Sequence, residues 1–344
     1  MSKHRLLGAL LVLSLLLAGC TSPILGPTPT AAPPLEYAVS TILLTGPLAR
    51  SSAEVSGLAW YGDQLILLPQ YPAFSGRESA VYALPRRDIL AYLDGSRTQP
   101  LKPTAIPFVA PGLAARIDGF EGYEAIAFAS DRAFLTIEAS TSEGMAGYLV
   151  SGRIAPDLSE LTLDTAKVVE IPSAVEFGNR SDEALIVAGD MLATFYEANG
   201  MGVNPSPVAH LFDTHLVPAD TIPFPAIEYR VTDATTLDEQ QRFWVINYFY
   251  PGDRDLRPET DPLAVRYGKG PSHAQYEQVE RLVELEYSEA GIEFSDRPPI
   301  QLELPSDKAR NWEGLVRLDE RGFLLVTDKF PRTILGFVPY TGEK

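Results

Sequence analysis

Sulfur and imidazole are scarce: one cysteine and four histidines stand in a chain of 344 residues. The cysteine, Cys20, lies near the N-terminus, so neither a disulfide nor a thiolate metal site can form in the chain beyond it. Three phosphate, zinc and serine-hydrolase signatures are also missing: G-x-x-x-x-G-K-[ST], H-E-x-x-H and G-x-S-x-G. Basic residues are few, 28 Lys and Arg against 45 Asp and Glu, for a formal charge of −17. That balance excludes general nucleic-acid binding and adhesion to anionic lipid headgroups. The apolar run Leu6 to Leu17 is too short to span a bilayer as a helix.

That run belongs instead to a targeting segment. Lys3, His4 and Arg5 form a basic start, and "LAGC" closes the segment at Cys20, so residues 1–19 read as a cleavable signal. Leu-Ala-Gly-Cys resembles a bacterial lipobox, in which the cysteine becomes the lipidated first residue of the mature protein. The alternative is an ordinary secretory signal with an incidental thiol. Thr21 follows the cysteine where an aspartate would argue for retention at an inner membrane. "TSPILGPTPTAAPPLE" is then a Pro- and Thr-rich spacer, giving a tether over 20–36 and a folded domain over 37–344. The expected location is the cell membrane, lipid-anchored on the extracytoplasmic face, with Cys20 the sole link to the bilayer. Removing Lys3 and Arg5 takes the formal charge from −17 to −19.

The folded part carries a repeat. "SGLAWYGDQLILLPQ", "EAIAFASDRAFLTIE", "EALIVAGDMLATFYE", "DATTLDEQQRFWVIN" and "EGLVRLDERGFLLVTD" each read as polar residue, apolar strand, turn, apolar strand, polar residue. Their first residues are Ser56, Glu124, Glu183, Asp233 and Glu313; their last are Gln70, Glu138, Glu197, Asn247 and Asp328. Two further strand-like runs follow each of the first four hairpins. The fifth has only "TILGFVPY" before the chain ends, and "YAVSTILLTG", Tyr37 to Gly46, can supply its missing outer strand. The pattern predicts an all-β, five-bladed β-propeller of four-stranded antiparallel blades, closed by the N-terminal strand. A six-bladed ring with one degenerate blade and a pair of β-sandwiches are the alternatives. "RRDILAYLDG" could form a short helical turn, and "AQYEQVERLVELEY" has some helical character.

In such a ring all ten polar positions gather at one mouth of the axial channel. So many carboxylates repel unless compensated. One compensation is arginine: Arg180, Arg230 and Arg310 each stand three residues before a strand-start acid. The other is a hard cation. Ser56, Glu124, Glu183, Asp233 and Glu313 offer one oxygen donor per blade, which suits calcium and, with no histidine or cysteine among them, disfavours zinc and copper. Arg77, Lys329 and Arg332 follow second strands and would overhang the mouth. The long stretch "YPGDRDLRPETDPLAVRYGKGPSHAQ" adds Arg254, Arg257, Arg266 and Lys269 and is the candidate lid. A cation beneath guanidinium groups suits a phosphate or carboxylate ligand.

"EVSGLAW", "YEAIAF", "DEALIV" and "NWEGLV" resemble the strand starts that form the calcium ring of the calcium-activated nucleotidases (apyrases). The same starts resemble the phytase-like, esterase-like propeller domains of bacterial exported proteins. The resemblance implies a five-bladed fold, calcium held by Ser56, Glu124, Glu183 and Glu313, and hydrolysis of a phosphate ester or anhydride. Asp233 departs from the serine of the nucleotidases at the fourth blade, and Gln70 from an acidic pair at the first. On this reading Glu138 or Asp328 accepts a proton from water, Arg77, Arg180, Arg230, Arg310, Lys329 and Arg332 hold the substrate, and the protein works as a monomer on an anionic small molecule or cell-envelope ligand. Two other functions remain open: a non-enzymatic module for a glycan, peptide or protein, and a calcium-dependent ester or lactone hydrolase.

Overall fold

The computed structural model describes residues 33–342 except 51, 77, 143, 174, 176 and 179. The expected signal, Cys20, most of the tether and Arg77 lie outside the described residues. No helix among the described residues is long and apolar enough to cross a membrane.

Each repeat builds one antiparallel blade. Blade one runs Val55–Tyr61, Gln64–Pro69, Ala80–Pro85 and Thr104–Val109. Blade two is Phe120–Ala129, Arg132–Thr141, Gly144–Ile154 and Leu161–Ile171. Blade three is Asp182–Ala188, Met191–Tyr196, Val208–Asp213 and Pro218–Pro223. Blade four is Arg230–Ala234, Arg242–Phe249 and Val279–Ser288, with Gly291–Phe294 and Ile300–Leu302 both on the outer side of the last. Blade five is Trp312–Leu318, Gly322–Thr327 and Leu335–Pro339. First strands pack in a closed cycle, one on two through five and five back on one, so the ring has five blades. Blades one and two also join at their outer edges, where Leu161 and Thr162 pair in parallel with Phe108 and Val109.

The chain closes this ring with its own N-terminal segment. Ser40–Ile42 pairs antiparallel with Leu335–Pro339 as the fourth strand of blade five. The segment also reaches further than the sequence pattern implied. Glu36–Tyr37 pairs in parallel with Ile300–Leu302 of blade four, and Leu44 bridges to Leu101 beside blade one. The Glu36 carboxylate accepts the amides of Ser272 and His273, and His273 Nδ1 stands 2.8 Å from it. "RRDILAYLDG" does form a helix, Arg86–Leu93. "AQYEQVERLVELEY" is mostly strand: Val279–Ser288 pairs along the whole of Arg242–Phe249, and that ladder outweighs local helix propensity.

The first strands share an irregularity that positions the site. Register slips between Val55 and Gly57, Tyr123 and Ile126, Asp182 and Ala184, Val231 and Ala234, and Trp312 and Gly314. Ser56, Glu124, Glu183, Asp233 and Glu313 all fall inside these bulges. A bulged residue has no partner opposite it, so its side chain can be re-aimed out of the sheet plane. A small residue follows every time: Gly57, Ala125, Ala184, Ala234 and Gly314. Neighbouring first strands converge there. A Cβ on Gly57 would lie 3.1 Å from the Glu124 carbonyl, and one on Gly314 would lie 3.1 Å from the Leu58 amide nitrogen and 2.8 Å from Leu58 Cγ. Gly314→Val should therefore lower stability by about 1–3 kcal/mol through overpacking. A urea midpoint unchanged from wild type would show that the inner strands are free to separate.

Candidate functional site

The bulges, together with the ends of the second strands, open on a cavity of about 200 Å³ at the mouth of the channel. Its acids are Glu54, Glu124, Glu138, Glu183, Glu313 and Asp328; its cations are Arg230 and Lys329; Ser56, Gln70 and Asn311 complete the wall. Of the residues expected at the site, the structure thus brings together Ser56, Glu124, Glu183, Glu313, Glu138, Asp328, Arg230 and Lys329.

Others point elsewhere. Asp233, expected as the fourth oxygen donor, does not line the cavity. Its carboxylate accepts the amides of Leu315 at 2.7 Å and Ala234 at 2.8 Å, with Leu58 adding a third, so it ties blade four to blades five and one. Arg310 serves Glu280, a fully buried acid of blade four, at 2.8 Å, and donates to the Glu303 carbonyl. Arg180 reaches Asp255 at 3.1 Å and lies 3.9 Å from Glu197, outside the cavity wall. Arg332 is exposed and off the wall, and its carbonyl accepts from the Thr327 hydroxyl. Trp312, next to Glu313, is fully buried and donates to Glu280 at 2.7 Å. His273 belongs to the N-terminal clasp, and no histidine among the described residues lines the mouth.

The charge balance differs from the expected cluster of free guanidinium groups. Arg230 pairs with Glu197, which is fully buried, and stands 3.5 Å from Asp253. Lys329 pairs with Glu54 at 3.0 Å. Burial disfavours charge on Arg230, but Glu197, Glu183, Glu313 and Asp253 together hold it firmly protonated. The long insertion after Phe249 supplies acids to two arginines, with Asp253 facing Arg230 and Asp255 facing Arg180. Its own basic residues turn outward, Arg257 to Glu277 at 2.9 Å and Arg266 to Asp296 at 3.8 Å. The buried pair Arg281–Asp261, at 2.7 Å, pins its base.

Burial is the dominant force on the ring acids. It pushes Glu124, Glu183 and Glu313 well above the ordinary carboxylate range, and like-charged neighbours add to the effect, outweighing the Arg230 field at Glu183 and Glu313. Glu138 is raised to about 8 by burial, with Glu197 and Glu121 contributing and Ser181 and Arg230 opposing. Asp328 is also raised by burial, but the Phe330 amide, Asn311 and Lys329 favour its ionised form. Glu124 accepts from Gln70 at 3.0 Å, whereas Glu138 Oε1 and Glu183 Oε2 are buried without a hydrogen-bond partner. An unpartnered buried carboxylate oxygen calls for a proton or a cation. The donors are all oxygen, the chemistry of a hard cation. As placed, however, no three acidic or imidazole groups among the described residues are close enough to hold an ion.

No protein-family model matches this chain, and no curated protein does. Among solved structures it is similar to the GH43 endo-arabinanase from Bacillus licheniformis, at 12% identity and a TM-score of 0.47, covering 86% of this chain and 95% of that one. A GH43_1 enzyme from Xanthomonas citri shows 8% identity, a TM-score of 0.48 and coverage of 88% and 91%. The catalytic domain of the Coprinopsis cinerea GH62 alpha-L-arabinofuranosidase shows 7%, 0.47, and 89% and 97%. At this distance none of these likenesses bears on what the chain acts on. The fold rests on the strand pairing described above.

Asn311 on the cavity wall, and Ser181 near Glu138, were not assigned from the repeat; Glu54, also on the wall, already reads in the sequence as lying near the mouth. Each stands two residues before a bulged ring residue, in the loop that leads into the first strand. Three exposed aromatic residues follow second strands on this face: Tyr71, Tyr250 and Phe330, with relative exposures of 41%, 52% and 59%. The fields of Glu124, Glu121, Glu54 and Glu138 help raise the Tyr71 phenol, which places it close to the acids.

Glu138 binds its proton more tightly in the folded protein than in the unfolded chain. The stability this contributes is complete below about pH 4.5 and is lost as pH rises through about 8. The thermal midpoint should fall across that window, and Glu138→Gln should flatten part of the fall. A wild-type midpoint that rises from pH 5 to 8 would contradict this placement of the acids.

Proposed function

We propose that the axial mouth is a hydrolytic site in which Glu138 gives a proton to a leaving oxygen and Asp328 accepts one from water. The carrying observation is that one small cavity holds two unlike carboxyls: burial raises Glu138 to about 8, whereas at Asp328 the same upward push is opposed by the Phe330 amide, Asn311 and Lys329. Glu138 thereby takes the opposite role from the proton acceptor expected from the sequence. Acid Glu138 and base Asp328 come from the ends of second strands in blades two and five, so the ring itself sets their separation.

The cavity's own charges favour a neutral ligand rich in hydroxyl groups. Arg230 and Lys329 are both committed to acids, so neither is free for an anion, while carboxylates accept hydroxyl protons readily. Tyr71, Tyr250 and Phe330 offer apolar faces around the entrance, a pairing of wet and apolar surface that suits a sugar ring. We therefore favour a glycan as substrate, presented to the mouth end-on because the cavity is small. The lipobox and the Pro-rich tether would hold this site at the extracytoplasmic face.

The one-donor-per-blade ring supports a second reading, in which Ser56, Glu124, Glu183 and Glu313 hold calcium and a phosphorylated small molecule binds above it. Bound there, the ion would polarise a phosphoryl oxygen. Arg230 would have to yield its place among the acids, and the ring carboxyls would give up their protons.

A panel of nitrophenyl glycosides and nitrophenyl phosphates, each with calcium or with chelator, separates the two. Glycoside turnover indifferent to chelator and reduced roughly 10²–10⁴-fold in Glu138→Gln is the expected result. Phosphate release that needs calcium, with tight calcium binding by calorimetry lost in a Glu124→Gln, Glu313→Gln variant, would establish the second reading instead. Retention on a glycan or partner column with no turnover of either series would make the mouth a binding module.

A further inference from the structure

At the opposite end of the channel, where the turns of the first hairpins gather, a second cavity of about 550 Å³ opens between blades four and five. Guanidinium groups surround it, and nearly all are spoken for. Arg242 grips Asp238 through two nitrogens at 3.1 and 2.9 Å. Arg297 reaches Glu284 at 3.2 Å and the Tyr340 hydroxyl at 3.3 Å. Arg86, at the edge, pairs with Asp319.

Arg317 is different. Among the described residues no carboxylate lies within ion-pair distance of it and no acceptor within hydrogen-bonding distance of its side chain. Its guanidinium instead rests on aromatic faces, 4.6 Å from the Phe323 ring centroid and 5.8 Å from that of Tyr340. Burial lowers its pKa from the ordinary arginine value, with Arg297 adding to the effect. With no protein acceptor among the described residues, the half-buried guanidinium fork keeps its donors available to a ligand, and an external carboxylate would engage it in bidentate geometry.

We propose that this cavity binds a small-molecule monocarboxylate, with Arg317 as the residue that recognises it. Arg317 sets the sign of the ligand's charge, and the acids that share the wall, Asp238, Glu239, Glu284, Asp319 and Glu320, limit its size. Glu284 and Glu320 lie close enough to act on Arg317, so a dianion such as phosphate meets more repulsion than a single carboxylate does. The shape of the rest of the ligand follows from the walls. Arg297, Tyr340, Thr341 and Gly342 also line an adjoining cleft of about 920 Å³, whose far side carries Tyr37, Pro298, Pro299 and Pro339. A carboxylate held at Arg317 can extend an apolar body past Tyr340 into that cleft. The site shares no residue with the axial mouth, so it stands or falls independently of hydrolysis there.

Saturation-transfer NMR with hexanoate as the probe, at fixed ionic strength balanced with chloride, tests this on the intact protein. Wild type should give a saturable signal, weaker for acetate and absent for hexanamide, which keeps the body and lacks the charge. Arg317→Met should weaken hexanoate binding at least tenfold, Arg317→Lys less, and Glu138→Gln should leave it unchanged. No saturable signal in wild type, hexanamide binding as well as hexanoate, or an Arg317→Met protein that binds undiminished would each overturn the proposal. The amide control reads the charge requirement even if the methionine variant folds poorly.

Discussion

Five first strands meeting around one axis cannot all keep a full ladder with their neighbours and also pack edge to edge. The structure resolves this with the same device in every blade: a bulge that leaves one residue unpaired, followed by glycine or alanine. The small residue lets adjacent inner strands approach, and the bulged one is released toward the axis. Everything at the mouth depends on that geometry. If the bulged residues were apolar, they would close the channel with a plug; because four of them are Ser56, Glu124, Glu183 and Glu313, the mouth holds a buried acidic cavity instead.

Burying so many carboxylates is costly, and the protein offsets the cost in three ways. Asp233 is turned into a tie that binds backbone amides of two other blades. Glu197 is given Arg230 and Arg180, and the insertion in blade four sends Asp253 and Asp255 back to those arginines. The remaining acids hold a proton more tightly than free carboxyls do, because burial disfavours their charged form. A cavity whose carboxyls differ in how strongly burial and their donors act on them is suited to moving protons, which links the packing problem to the proposed chemistry.

The N-terminal segment solves the other problem of a ring, its seam. It touches blades four, five and one in succession, through Glu36–Tyr37, Ser40–Ile42 and Leu44. Blade five gains its outer strand from this clasp, and Glu36 seals it against His273 and the insertion that faces the mouth. The clasp therefore couples closure of the ring to placement of the loop that carries Asp253 and Asp255.

What the sequence determined by itself was the repeat. Five hairpins with polar ends, turn residues between apolar strands and a spare strand at the front are local features; they predicted five blades and the strand that closes them, while the packing of the first strands in a closed cycle excluded the six-bladed ring and the sandwiches. The residues meeting at the mouth were legible for the same reason, since a two-residue period and a common strand start need only counting. What only the tertiary structure decided was who pairs with whom. Arg180, Arg230 and Arg310 have the same spacing from an acid, yet one reaches the loop acid Asp255, one enters the cavity and one serves Glu280, because each partner comes from a distant part of the chain. Asp233 looked like a fourth ring donor, but the amides that capture it belong to blades that arrive only on folding. Pairing of that kind is set by three-dimensional proximity and burial, which no spacing along one strand records.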